Sequence, residues 1–489
     1  MATKISIELL IMVLNNVKST QDLYSSLLVN RFWCKVTIPI LWEIPFGHEC
    51  RMGYIELRKR ALCIRTYISC MDTQARTLLT QNGFDLSSSP PQVTFDYPSF
   101  VHKFVINHLV YFISIYSPLI IPQQITGSDQ DNNNNENYYE IVIDKSRILF
   151  CEICKLIINR CEFLDCFKLV GVNLCYEKYY LSYSDSIGSI LKLPGAPNVF
   201  KKLESFTSMV GKNEPIHLLY ESLALICDNI LNMNLEFKSY SQMQLFAKLI
   251  NAQKRLENLS IVARSNLDFN SFLWAIIGQK ESLRSLYLKL VSFYHFEVKS
   301  SPIGQFISLQ DFYIEDCSGL YRSGSLFFAS SLTQLSSFHF RQKCREYPQE
   351  FIKKIIEAAN INLKNIRLDL ISAIPYDIFS AILKYCSKIT ELTLHILCSE
   401  QVILILNNNF NELRKFSFGC GKRFDIDKLL CQMVENVPES IETIEIKMGI
   451  FSSDSLKNFF KEWCRKGGGG TKKIIVKCKD RRGLFTLSE

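Results

Sequence analysis

The phrase Leu256-Glu-Asn-Leu259-Ser-Ile261 is one that the chain says repeatedly. It returns as Leu283-Arg-Ser-Leu286-Tyr-Leu288, Leu309-Gln-Asp-Phe312-Tyr-Ile314 and Leu335-Ser-Ser-Phe338-His-Phe340. Four more follow: Leu363-Lys-Asn-Ile366-Arg-Leu368, Ile389-Thr-Glu-Leu392-Thr-Leu394, Leu413-Arg-Lys-Phe416-Ser-Phe418 and Ile441-Glu-Thr-Ile444-Glu-Ile446. Successive starts are 27, 26, 26, 28, 26, 24 and 28 residues apart. With 47% of residues hydrophobic, one such match carries no weight, but eight in step do. The end of each phrase alternates apolar and polar, which is the period of a strand with one face buried.

Outside the phrases the spacing changes to that of helices. Phe351-Ile352-Lys-Lys-Ile355-Ile356-Glu-Ala358-Ala359 and Ile378-Phe379-Ser-Ala381-Ile382-Leu383 place apolar residues at i, i+3 and i+4. A strand-helix unit of this period with an L-x-x-L-x-L core is a leucine-rich repeat. One such unit cannot bury its own apolar face, so neighbours must stack into a continuous core. The expected fold class is therefore α/β, a leucine-rich-repeat solenoid with a curved parallel sheet and outer helices. Weaker phrases extend the series backwards through Leu164-Asp-Cys-Phe167-Lys-Leu169, Leu203-Glu-Ser-Phe206 and Ile230-Leu-Asn-Met233-Asn-Leu235. Leu193-Pro-Gly-Ala-Pro197 predicts an inserted loop in the long gap between 164 and 203. Thr471-Lys-Lys-Ile474-Ile-Val476 predicts a degenerate last strand, with Lys472, Lys473, Lys477 and Lys479 discouraging further pairing at its edge.

The organisation expected along the chain is a small helical segment at 1–45, then an irregular linker with degenerate repeats at 46–160. The solenoid proper follows at 161–465, and a degenerate repeat with a basic tail at 466–489. Asp131-Asn-Asn-Asn-Asn135 marks an unordered, solvated insertion near 127–137. The apolar run Phe104 to Ile121 contains Asn107, His108 and Pro118, which suits a buried element better than a membrane span.

The chain's net charge of +8 is unevenly placed. Residues 461–489 hold nine Lys or Arg and three acids, so this tail carries +6 and the remainder only +2. A nearly neutral body argues against a general nucleic-acid binder, and a contact through the tail is the lesser alternative. Eighteen scattered cysteines in a chain with an ample core read as reduced apolar filler, implying an intracellular protein of cytoplasm or nucleus. Cys151 and Cys154 have metal-ligand spacing, but Cys161, Cys166 and Cys175 do not supply a matching pair. No phosphate loop, H-E-x-x-H or G-x-S-x-G occurs, so no catalytic set, metal or cofactor is expected.

Residues 5–44 are unusually rich in large apolar side chains for a segment too short to enclose its own core. Ser19 with Asp22 opens a helix, and Pro39 is expected to break the third helix or open its last turn. Ile5, Glu8, Leu9, Leu10, Leu14, Asp22, Leu23, Leu28, Val29, Arg31, Trp33, Leu41 and Trp42 match, as they stand, the pattern of an F-box, and Ser6 stands where that pattern has Pro. A segment so patterned, followed by leucine-rich repeats, resembles the F-box/leucine-rich-repeat proteins. The resemblance implies a three-helix F-box that docks a Skp-type adaptor, which in turn links to a cullin scaffold, while the repeats hold a protein substrate for ubiquitin transfer. It implies adaptor contacts by Ile5, Leu9, Leu10, Leu14, Leu23, Leu27, Leu28, Val29, Trp33, Leu41 and Trp42. The alternative is a scaffold unrelated to ubiquitin whose N-terminal helices only cap the solenoid.

Substrate contacts are expected on the outward side chains of the sheet, its concave face. Tyr287, Asp311, Tyr313, Glu315, His339, Arg341, Arg367, Asp369 and His395 mix both charge signs with rings that suit a specific protein partner.

Overall fold

In a computed structural model of the protein, each of the eight clear phrases is a strand, and the strands pair in chain order. The residues described are 6–17, 19–45, 61–89, 92–121, 133–170, 183–209, 217–264, 269–294, 303–320, 332–343, 348–370, 373–408, 410–420, 425–447, 452–466, 472–477 and 484–488. The chain divides into two compact units, 1–236 with 241–255, and 237–240 with 256–489.

The first unit opens with α1 (Ile7–Asn15), α2 (Thr20–Leu27) and α3 (Arg31–Trp42), followed by α4 (Cys63–Cys70) and α5 (Thr73–Gln81). Then come β1 (Lys103–Val105), α6 (Ile106–Ile120), α7 (Asn133–Arg160) and β2 (Cys166–Val170). After these lie α8 (Ser184–Ser189), α9 (Ala196–Phe200), β3 (Ser205–Met209), α10 (His217–Ile226), β4 (Asn232–Phe237) and α11 (Tyr240–Asn251). β1 to β4 are parallel and in register, Phe104 opposite Phe167, Phe167 opposite Phe206, and Phe206 opposite Met233. The run Phe104 to Ile121 is β1 and α6, and its Asn107 side chain accepts a 2.7 Å hydrogen bond from the Val170 amide. No helix among the described residues is long and apolar enough to cross a membrane. The region expected as an inserted loop is helical on both sides of Pro194 and Gly195, because the left-handed Gly195 (φ 87°) turns the chain directly into α9. Of the Asn-rich stretch, 127–132 lies outside the described residues, and α7 begins at Asn133.

The second unit carries β5 (Asn258–Ala263), α12 (Asn270–Ile277), β6 (Ser285–Lys289), β7 (Asp311–Glu315) and β8 (Ser337–Gln342). It continues with α13 (Gln349–Ala359), β9 (Asn365–Leu370), α14 (Tyr376–Tyr385), β10 (Glu391–Leu397), α15 (Ser399–Asn407) and β11 (Lys415–Cys420). It ends with α16 (Ile426–Asn436), β12 (Thr443–Lys447), α17 (Ser453–Lys466), β13 (Lys473–Lys477) and β14 (Leu484–Ser488). β5 to β13 are parallel, and the one register shift among the described residues of this unit falls between Leu394 and Leu397 of β10, where it pairs with β11. The final strand differs from expectation, since β14 turns back and pairs antiparallel on β13. The lysines around β13 therefore do not end the sheet. Lys472 is instead buried, donating 2.8 Å hydrogen bonds to the carbonyls of Glu439 and Ile441 with its ammonium 5.4 Å from the Trp463 ring.

The same two interactions recur along the rungs. First, the leading residues Leu256, Leu283, Leu309, Leu335, Leu363, Ile389, Leu413 and Ile441 are all fully buried, as the repeat demands. Second, the carbonyl after the leading residue accepts two consecutive amides of the next rung. Arg284 and Ser285 donate to Glu257, Gln310 and Asp311 to Arg284, and Thr390 and Glu391 to Lys364. This shared acceptor fixes where each strand starts and so keeps the register. With strands parallel, in order and backed by helices, each unit has the architecture of a leucine-rich-repeat solenoid.

Two buried glutamines complete the turns into β4 and β5. Gln253, 5% exposed, donates to the carbonyls of Cys227 (2.9 Å) and Leu249 (2.8 Å), and its Oε1 accepts from the Ile230 amide (2.9 Å). In the second unit, Gln279 Oε1 accepts from the Leu256 amide at 3.0 Å. Cys161, Cys227 and Cys386 occupy the place of Gln253, three residues before a leading apolar residue, and all are buried. The described cysteines are free thiols.

Candidate interaction surfaces

The N-terminal helices are closed by side-chain caps. Ser6 accepts from the Leu9 amide (3.3 Å), Ser19 from Asp22 (3.3 Å) and Asn30 from Trp33 (2.9 Å). Ser6, standing where the F-box pattern has Pro, is thus itself a competent helix start. Pro39 does not break α3, which runs through it to Trp42. Proline withholds only its own amide, and the helix continues for one more turn.

Leu10, Leu14 and Val36 form the centre of this small core, with Leu23, Trp33 and Ile40 packed against it. Trp42 packs on Tyr67 (5.6 Å between ring centroids) and Tyr97 (4.4 Å). The next residue, Glu43, accepts the amides of His102 (3.2 Å) and Lys103 (3.1 Å), and its carboxylate pairs with Lys103 at 2.6 Å. Glu43 thereby plays the acceptor's part that Glu257 and Arg284 play between later rungs.

The residues read from the sequence as one docking set therefore divide. Leu10 and Leu14 are buried in the core of the helices with Leu23 and Trp33 packed on it, Trp42 packs on Tyr67 and Tyr97, and Leu27 and Leu41 are half-buried. Leu9, Leu28 and Val29 are exposed at 53%, 88% and 56%. Ile5 lies outside the described residues. Sequence reading did not single out Ile7, Met12, Val13 and Phe32, which are also exposed. Their signal was available: α1 has only Glu8 and Asn15 as polar residues, both on one side, so its apolar arc is wider than the one stripe a helix can bury.

On the sheet, alternation sends three residues per strand outward, and the parallel register aligns them in rows. One row runs Tyr287, Tyr313, His339 and Arg367. The next runs Lys289, Glu315, Arg341 and Asp369. Tyr313 meets His339 edge to face at 4.4 Å, and Tyr287 lies 6.4 Å from Tyr313. Glu315 is the hub: it accepts from the Tyr287 hydroxyl and pairs with Lys289 at 3.0 Å and Arg341 at 3.4 Å. A second hub is Asp369, paired with Arg367 Nε at 2.7 Å and Lys447 at 3.6 Å.

These contacts set the protonation of the face. Burial pushes Glu315 up, but hydrogen bonds from Tyr287 and Lys289 and the charges of Lys289 and Arg341 outweigh it, holding the carboxyl below the usual range. Asp369 is likewise held down by Lys447, Arg367 and His395 against its burial. Burial and the adjacent Arg367 lower His339 against the opposing charges of Asp369 and Glu391. Burial raises Asp311. All nine outward residues expected to meet a partner lie in this one stretch of β6 to β10. Sequence reading missed Lys447. It also missed the pairing rule: Lys289–Glu315 and Glu315–Arg341 are each 26 residues apart, one repeat. Opposite charges one period apart are neighbours across strands.

A cleft of about 970 Å³ also opens in the second unit, lined by Glu391, Arg414, Lys415, Glu442 and Lys472 among others. Its charges are largely satisfied, Lys415 by Glu391 at 3.2 Å, Arg414 by Glu442 at 3.9 Å, and Lys472 by the two carbonyls above. Among the described residues no three His, Cys, Asp or Glu side chains converge as metal ligands.

No family model matches the chain. No curated protein matches it. Solved structures similar to it include the leucine-rich repeat-containing protein LegL7 from Legionella pneumophila, at 10% identity and a TM-score of 0.35, over 61% of this chain and 98% of that one. A protein from Bacteroides fragilis is similar at 13% identity and a TM-score of 0.34, over 48% of this chain and 72% of that one.

Proposed function

We propose that this protein is the non-catalytic substrate-recognition subunit of a Skp–cullin–F-box ubiquitin ligase. In this reading α1 to α3 dock a Skp-type adaptor, and the outward rows of β6 to β10 hold a protein substrate. The observation that carries the reading is the uncovered apolar surface of the N-terminal helices. Leu9, Met12, Val13, Leu28, Val29 and Phe32 are each at least 43% exposed, on helices whose own core is already closed by Leu10, Leu14 and Val36. Clustered apolar side chains in water favour a partner that removes them from it.

A second reading has an observation of its own. Glu43 takes the acceptor's place next to β1, which suits a segment that only caps the repeats. A cap alone, however, needs no apolar outer side. Co-purification with a Skp-type adaptor separates the two. Leu28→Glu combined with Val29→Glu touches little in the free protein, yet removes two anchors worth about 1.5–3 kcal/mol each when buried. Adaptor affinity is expected to fall by about a hundredfold or more with unchanged thermal unfolding. Failure of the unsubstituted chain to bind the adaptor removes the ligase reading and leaves the cap.

A further inference from the structure

On the outward face, two carboxylates of β7 and β9 are each shared between two cations, drawn from strands between β6 and β12. Two carboxylates, Glu315 and Asp369, serve four cations: Lys289 and Arg341 on the first, Arg367 and Lys447 on the second. Of the neighbouring acids, Glu445 accepts from Ser417 at 3.1 Å. Glu391 is engaged by Lys415 at 3.2 Å, and Asp311 accepts from Ser337. Among the four cations, Arg341 and Arg367 are the most open, with side chains 52% and 49% exposed.

Their geometry is as informative as their charge. Arg367 is held through Nε by Asp369 at 2.7 Å, which restrains the guanidinium by its inner edge and leaves donors on its two terminal nitrogens. Arg341 approaches Glu315 through one terminal nitrogen at a longer 3.4 Å. These arginines stand on adjacent strands, Arg341 opposite Asp369 and Arg367 opposite His339. Tyr287, Tyr313 and His339 form a ledge of rings running away from Arg367 across three strands. A pre-oriented guanidinium presents two parallel donors matched to the two oxygens of a carboxylate. A row of rings beside it suits the flat or apolar side chain that follows in an extended segment.

We propose that Arg341 and Arg367 form an oxyanion site that takes a side-chain carboxylate of an acidic peptide segment, with the residues next to it lying on the Tyr287–Tyr313–His339 ledge. This rests on the reading that the sheet face holds a protein substrate, and names the substrate's chemistry. Asp369 acts as the positioning residue for Arg367, and Glu315 competes with the incoming anion for Arg341.

The test uses the full chain and a short fluorescein-labelled peptide of alternating Glu and Tyr, amidated at its C-terminus so that only side-chain carboxylates are present. The same peptide with Gln for Glu is the reference. The expected result is binding of the Glu peptide at least about tenfold tighter than the Gln peptide, weakening as salt rises. Arg341→Gln with Arg367→Gln should remove that preference in a chain that still folds. Two single changes test the roles. Asp369→Asn should weaken the Glu peptide by releasing Arg367, and Glu315→Gln should tighten it by removing the competing charge, which general damage to the face would not do. Equal binding of the two peptides, or a preference that survives loss of both arginines, overturns the proposal. Adaptor co-purification, measured on the same preparations, reports the ligase reading separately, so failure of one does not imply failure of the other.

Discussion

Replacing Gln253 by Leu tests the claim that buried amide side chains, and not only apolar teeth, hold consecutive rungs together. The change keeps the volume and removes the donors and acceptor. Three backbone groups then lose a partner: the Cys227 and Leu249 carbonyls and the Ile230 amide, around a side chain only 5% exposed. An orphaned buried group costs about 1–3 kcal/mol, with carbonyls at the low end because they tolerate partial satisfaction better than amides. One amide and two carbonyls give about 4 kcal/mol, of which Leu recovers about 1 kcal/mol by being cheaper to bury than an amide. A net loss of about 3 kcal/mol is large beside a typical domain stability of ~5–15 kcal/mol. Because repeat stability is local, the appropriate assay is amide hydrogen exchange near the lesion, not a single melting temperature. Leu231 and Asn232 donate to the Glu204 carbonyl and keep that partner in the variant. Their exchange is expected to accelerate roughly a hundredfold. Exchange at these two amides within about threefold of the unsubstituted protein, in a chain that still folds, would refute the reasoning, since it would mean that the Gln253 bonds add nothing to the junction.

Two further outcomes follow from titration and burial. Burial pushes the Cys227, Cys317 and Cys386 thiols up to about 12, whereas Cys398 and Cys431 are exposed. Iodoacetamide at mildly alkaline pH is expected to label the exposed pair and spare the buried three until denaturant is added, because only the thiolate reacts; comparable native labelling of Cys386 and Cys398 would contradict the packing described. Glu315 and Asp369 both sit below their ordinary values of 4.5 and 3.8, so the native state holds their protons more weakly than the unfolded chain. Their contribution is present above those values and is lost as pH falls through the lower native ones. Amides of β7 to β9, compared after correction for intrinsic rates, should lose protection in that acid range, and Glu315→Gln should remove part of the loss; a pH-independent protection would count against the two hubs.

The strands were legible because burial writes itself along the chain at period two, and the eight clear phrases are eight strands. The first rung was not. β1 has only Lys103 to Val105, and α6 begins at the very next residue, so the run Phe104 to Ile121 reads as one apolar element rather than a strand joined to a helix. Gln253 and Gln279 were invisible for a different reason. Glutamine is ordinarily a surface residue, and only the geometry of a helix end meeting a strand gives it three backbone groups to satisfy. The F-box pattern in residues 5–42 marked a segment correctly as apolar-rich, but it named Leu14, which closes the core, as a docking residue and passed over Val13, which faces water. That distinction needs the neighbouring helices.

The outward face shows why a site can be legible residue by residue and still be misjudged as a whole. Read along the chain, Glu315 and Asp369 look like two acids offered to a partner. Read across the strands, each is already claimed by two cations. An acid so claimed is a poor first contact for an incoming base, because the partner must displace an existing pair to reach it. The guanidiniums have spare donors, since a carboxylate cannot occupy all five N–H groups of each arginine. The sign of the preferred partner is therefore set by which members of the rows retain unused donors or acceptors. On this sheet those are Arg341 and Arg367, and an acidic segment, not a basic one, is the partner they select.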